Sequence, residues 1–142
     1  MRIQERILKV AIMSAMLMLN VSGIKAQDSP MQLCMKHISE PYVSDGQYYT
    51  VLLTNEDIAE FYVTFYGGTV YRLVGYCGTE AGNLAFSVYD QERNLLFTNR
   101  DFENTPSWDF KFDNTIDCII EAEIDSKEMT SGLAVMLIGF KQ

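Results

Sequence analysis

Residues Glu60 to Gly78 read EFYVTFYGGTVYRLVGYCG, with six aromatic rings in nineteen residues. Phe61, Val63 and Phe65 alternate with Tyr62, Thr64 and Tyr66, the period of a strand with one buried face. A glycine pair and a second alternating run follow, which reads as a hairpin. A two-residue Gly67–Gly68 turn would set Val63 opposite Arg72 and bury a cation among phenylalanines, a costly arrangement. A three-residue loop, Gly67-Gly68-Thr69, shifts the pairing by one and exchanges the faces. Phe65 then faces Tyr71, Val63 faces Leu73, Phe61 faces Gly75, and Arg72 lies beside Thr64 on the outside. The expected inward row is Phe61, Val63, Phe65, Tyr71, Leu73 and Cys77. The outward row is Tyr62, Tyr66, Val70, Arg72, Val74 and Tyr76, either covered by the N-terminal segment or left as a patch.

The same period runs on through the chain. Trp108, Phe110 and Phe112 alternate with Asp109, Lys111 and Asp113; Cys118, Ile120, Ala122 and Ile124 alternate with Glu121 and Glu123. Eight strands are expected: 47–53, 59–66, 69–77, 83–90, 94–99, 107–112, 117–124 and 133–141. Short polar turns join them. The last, LAVMLIGFK, is apolar on both faces, so it is central or has its outer face covered. Regular short strands of this kind make an all-β fold, an antiparallel two-sheet β-sandwich of jelly-roll type.

The expected division is a signal peptide over 1–26, an irregular segment over 27–46 with a short turn of helix near Met35, and the sandwich over 47–142. Arg2, Arg6 and Lys9 precede an apolar run from Val10 to Val21, and Ala26 is a small residue at a cleavage position. The run falls short of the ~20 apolar residues that span a bilayer. The expected product is an exported protein, periplasmic or extracellular, with no membrane insertion after cleavage. Cys34 comes too late to be a lipid attachment site. Cleavage would remove Arg2, Arg6, Lys9, Lys25 and Glu5 and leave 7 basic and 18 acidic side chains, a balance of −11. Such a surface excludes nucleic acid and anionic lipid as partners, because phosphate binding needs clustered Lys and Arg.

Three cysteines, Cys34, Cys77 and Cys118, leave three pairings open in an oxidising compartment. Cys34–Cys77 is the expected disulfide, stapling the N-terminal segment to the sandwich; the alternative is three reduced, buried thiols. The only histidine, His37, forms C-x-x-H with Cys34 and is read as a plain surface residue, since zinc and nucleophilic catalysis both need further partners. Asp90 with Glu92, Asp101 with Glu103, and Asp113 with Asn114 and Asp117 flank turns. These are the candidate calcium ligands, set against the ordinary use of Asp and Asn as turn formers. Otherwise no cofactor and no catalytic group is expected.

The order F-x-V-x-F-x-G-G-x-x-Y-R-L (Phe61 to Leu73), then L-A-F-S-V-Y-D (Leu84 to Asp90), then G-L-A-V-x-L near Leu133, resembles the pre-peptidase C-terminal domain and, more loosely, GOLD-type sandwiches. The resemblance spans Gln47 to Phe140 and rests on core and turn positions. It implies a small jelly-roll sandwich, a non-catalytic companion of exported proteins. The residues expected to grip a protein or glycan are Tyr62, Tyr66, Arg72 and Tyr76, because tyrosine offers a flat apolar face with a polar tip. Such a chain would be a binding module or, alternatively, an accessory subunit of a cell-envelope assembly.

Overall fold

The computed structural model describes residues 26–142 together with Ile3 and Gly23; the expected signal peptide lies almost wholly outside the described residues. All eight expected strands are present: β1 (Tyr42–Thr54), β2 (Ala59–Phe65), β3 (Val70–Cys77), β4 (Leu84–Asp90), β5 (Leu95–Thr98), β6 (Ser107–Lys111), β7 (Ile116–Ile124) and β8 (Ser131–Lys141). They form two four-stranded antiparallel sheets, ordered β1-β8-β3-β6 and β2-β7-β4-β5. β1 begins at Tyr42, inside the segment expected to be irregular.

The hairpin expected at Glu60–Gly78 is not formed. β2 pairs with β7, and β3 pairs with β6 and β8, so the two strands lie in opposite sheets. Gly67 and Gly68 carry the chain across the end of the sandwich as an arch. The Gly68 N–H donates to Phe112 O at 2.8 Å, and the Gly67 N–H to Thr115 Oγ1 at 3.1 Å. A Cβ on Gly67 would meet Asp113 O at 2.7 Å, so this crossing needs glycine. The Tyr71 hydroxyl accepts the Tyr66 N–H at 3.1 Å and braces the arch from the next strand.

The face assignment survives because an arch and that hairpin bury the same rows. Val63, Phe65, Tyr71, Leu73 and Cys77 are buried, and Phe61 packs against them half-buried. Phe65 meets Tyr71 edge-on at 5.0 Å between centroids. Leu84, Phe86, Val88, Phe110, Ile120, Met136 and Ile138 belong to the same core. Thr64 does not neighbour Arg72; its hydroxyl donates to Asp117 at 2.6 Å. Gly75 pairs with Met136, not Phe61.

β8 is central in its sheet, and its outer face is covered, which accounts for its apolar character on both sides. The cover is α1 (Pro30–Met35), opened by Pro30 and by a capping box between Ser29 and Gln32. Six residues are too few to hold a helix in water, so docking must stabilise it. Cys34 supplies the anchor, buried with Val74, Tyr76, Val135 and Leu137 and flanked by Met31, Leu33 and Ile38.

The expected Cys34–Cys77 disulfide is not made, and all three thiols are free and buried. Cys34 lies on the outer face of the β8 sheet, its Sγ–H donating to Val135 O at 3.4 Å, whereas Cys77 belongs to the central core. A four-stranded sheet stands between them.

Candidate functional site

β1 and β2 are both edge strands, on the same side of the sandwich. Between Ser44 and Tyr48 the register of β1 against β8 slips: Asp45, Gly46 and Gln47 oppose the single residue Ile138. Gly46 takes φ of +81°, a conformation that favours glycine. The bulge is pinned by its own side chains, Ser44 Oγ accepting the Gly46 N–H at 3.1 Å and Asp45 Oδ1 the Gln47 N–H at 2.7 Å. Bulges commonly re-aim side chains at sheet edges, and here Asp45 and Gln47 are carried to the lip of a cleft.

That cleft holds about 650 Å³. Val63, Tyr71, Ile138 and Phe140 line its floor, Tyr62, Thr64 and Tyr66 line the β2 side, and Thr69 lines it from beyond the arch. Tyr62 is 67% exposed and Tyr66 63%. The Tyr62 hydroxyl reaches Glu60 at 3.4 Å. Further along the edge, the Tyr49 ring packs tilted against Phe61 at 4.6 Å between centroids, and its hydroxyl donates to Tyr62 O at 3.4 Å. Burial and the Asp45 carboxylate both push the Tyr49 hydroxyl above its ordinary value, so it stays protonated. The site therefore offers flat aromatic faces, hydroxyl and amide hydrogen bonds, and one carboxylate, over an apolar floor.

Two of the four expected binding residues, Tyr62 and Tyr66, come together at this cleft. The other two do not join them. Tyr76 is 8% exposed beneath α1, its hydroxyl 2.8 Å from His37 Nε2. Arg72 grips Asp109 with Nε at 2.7 Å and Nη2 at 2.9 Å, stacks 3.8 Å above the Tyr42 ring, and donates to His37 O at 3.0 Å. The Arg72 guanidinium holds the Asp109 carboxyl below its ordinary value. Arg72 and Tyr76 thus fasten the N-terminal segment onto the sheet. His37 is not a plain surface residue but part of that fastening. Burial and Arg72 lower its proton affinity.

The candidate calcium ligands do not converge. Asp90 pairs with Cys118 at one end of the sheet and is held by Asn94, whose N–H and Nδ2 donate to it at 2.8 and 2.9 Å. Glu92, Asp113 and Asp117 belong to that end. Asp101 and Glu103 lie at the other, beside Asn104, which donates to Asp125 at 2.9 Å. Among the described residues no three His, Cys, Asp or Glu side chains are grouped to hold a metal ion.

Sequence reasoning missed Asp45, Gln47, Ile138 and Phe140. The Asp45–Gly46 dipeptide was the available signal, a turn pair inside a β-rich run. Among the described residues only Asp28, Glu60, Asp109, Glu121, Glu123 and Asp125 pair with a cation; Asp45, at the cleft, does not.

No protein-family model matches the chain, and neither does any curated protein. Among solved structures it is similar to the crystal structure of Aeromonas hydrophila PliG, a periplasmic lysozyme inhibitor of g-type lysozyme. The TM-score is 0.52 at 9% identity, over 67% of this chain and 85% of that chain. At such identity the likeness speaks to fold. It supports the small β-sandwich read in the sequence, while no family model of the pre-peptidase C-terminal or GOLD type matches.

Proposed function

We propose that this chain is an exported, non-catalytic β-sandwich that binds a protein partner at the cleft between β1 and β2. The observation that carries this is the placement of Tyr62 and Tyr66. Two largely exposed tyrosines, Tyr62 on the edge strand β2 and Tyr66 just past its end, stand at the rim of a 650 Å³ cleft with an apolar floor. Rigid aromatic anchors beside a pocket are the usual source of binding energy at protein interfaces. Asp45 on the opposite lip, in a chain with an acidic balance, selects a partner that presents a basic side chain. The likeness to a periplasmic inhibitor of another protein favours a protein over a glycan as the occupant.

The test is a pull-down from the envelope of the producing cell, run beside a glycan array, with Tyr62→Ala and Tyr66→Ala as controls. Each truncation should cost about 2 kcal/mol of affinity, roughly thirtyfold, with the thermal midpoint unchanged. If both variants hold every captured partner as tightly as the parent, the cleft is not the site.

A second reading, an accessory subunit of a cell-envelope assembly, is favoured by Leu95, Leu96 and Phe102, which are 54, 41 and 46% exposed at the opposite edge. Leu95→Glu with Phe102→Glu would release the partner under this reading and leave it bound under the first.

A further inference from the structure

The open edge of β1 differs from the other edges. β5 spans four residues and β6 five, and β6 alternates with Asp109 and Lys111. β2 carries Glu60 and ends at the arch. β1 runs for thirteen residues, and from Gln47 to Thr54 it has no charge, no proline and no glycine. Natural sheets guard long edges with such residues, since a bare edge templates another strand.

The backbone of this stretch is also regular. From Tyr48 opposite Leu137 to Thr54 opposite Ser131 the register against β8 is unbroken. The Asn55 N–H bonds back to Thr130 O at 2.9 Å, while the Thr54 N–H is turned off the ladder to Asp57 Oδ2 at 2.8 Å. Antiparallel alternation then places the N–H and C=O of Leu52, Thr50 and Tyr48 on the open edge. Their side chains share the outer face, with Leu52 71% and Tyr48 61% exposed. None of residues 48 to 53 lines the cleft.

We propose that two copies of this chain pair through β1, antiparallel about a dyad at Thr50. In that register Thr50 exchanges both backbone hydrogen bonds with Thr50 of the second copy. Tyr48 lies against Leu52 of the second copy on the outer face, and Tyr49 against Val51 of the second copy on the inner. These are aromatic–aliphatic pairs that stabilise cross-strand contacts. The stretch is complementary to itself, as a dyad interface requires. Two acidic copies can approach only along an uncharged line, and this strand provides one. The seam adjoins the cleft proposed to bind a partner through Tyr49, whose hydroxyl reaches Tyr62 O, but shares none of the residues that line it.

Sedimentation of the purified protein over a concentration series tests the pairing. The parent should be dimeric. Thr50→Lys sets like charges opposite each other at the dyad and should raise the dissociation constant about tenfold or more, while unfolding of the dilute, monomeric protein should be unchanged because Thr50 is exposed. Thr50→Cys should form a covalent dimer on mild oxidation, as directly opposite residues of this kind are ~5.5 Å apart between Cα atoms, within disulfide reach. Glu92→Cys, on an exposed turn, should not. A parent that stays monomeric at every concentration overturns the proposal. So does a dimer that Thr50→Lys leaves intact, or a Thr50→Cys cross-link made only to a different chain.

Discussion

The side-chain oxygen of Asn99 accepts the backbone N–H of Phe86 at 2.8 Å, in full burial. Its amide nitrogen donates to Leu84 O at 2.9 Å and to Thr105 O at 3.1 Å. The β4–β5 ladder stops at Ser87–Thr98, and Asn99 takes the place of the next rung. The side chain also anchors the 3-10 turn over Asn99–Phe102 that leads to β6.

Asn99→Ala should therefore strand a buried backbone donor and an acceptor. Each unsatisfied group costs about 1–3 kcal/mol, so the midpoint of denaturant unfolding should fall sharply. Chemical denaturation of the variant against the parent measures it. A change under ~0.5 kcal/mol, the scale of an ordinary surface substitution, would mean that Asn99 is not the missing rung.

His37 should make stability depend on pH in one window. Burial, then the charge of Arg72, hold the folded imidazole below its ordinary value of 6.5. Between the two values the unfolded chain binds the extra proton and the folded chain does not, so stability rises with pH there and falls on acidification. The thermal midpoint should decline from neutral pH toward about pH 5, before carboxylates titrate in bulk. His37 is the sole histidine, so His37→Gln should flatten that decline.

Gly67→Ala should be the costliest substitution in the arch. The new Cβ would lie 2.7 Å from Asp113 O and 2.9 Å from Asn114 backbone atoms, none of which can swing aside. A loss of about 1–3 kcal/mol is the scale of such overpacking. Gly68→Ala meets open space and suffers only from its φ of +81°, about 1–2 kcal/mol for a left-handed residue. Thermal midpoints of the two variants should fall in that order.

The thiols should be inert until the chain unfolds. Burial pushes Cys34 up to about 12 and Cys118 up to about 11, and raises Cys77 as well. Since the thiolate is the reactive form, native protein near neutral pH should resist alkylation, and denatured protein should take three alkyl groups. Uptake of only one group after denaturation, with no reductant added, would show that a disulfide had formed after all.

The sequence made the strands legible because alternation is local. Cys118, Ile120, Ala122 and Ile124 announce one face of β7 without reference to any other strand. Alternation says which side of a ribbon is apolar, not which ribbon lies next to it. Val63 and Leu73 face inward whether β2 and β3 form a hairpin or an arch, so the pattern could not separate the two. The decision rests with β7, whose Cys118 is the true neighbour of Val63. The cleft was half legible for a similar reason. Tyr62 and Tyr66 could be read as outward, but Asp45 and Gln47 reach the lip only because β1 slips against β8, a register between opposite ends of the chain. Arg72 and Tyr76 do lie on the outward row of β3, but α1 covers that row and buries Tyr76 in a second, smaller core; their distance from the cleft follows from the sheet exchange at Gly67.

Among the described residues only β4 and β5 are neighbours both along the chain and in a sheet. β8, the final eleven-residue strand, is the shared partner of β1 and β3. β1 has no sheet partner but β8, so it cannot take its place until that strand has been made, and pairing over so long a sequence separation makes folding slow for the size of the chain. A polypeptide assembled this way remains threadable for as long as it is incomplete.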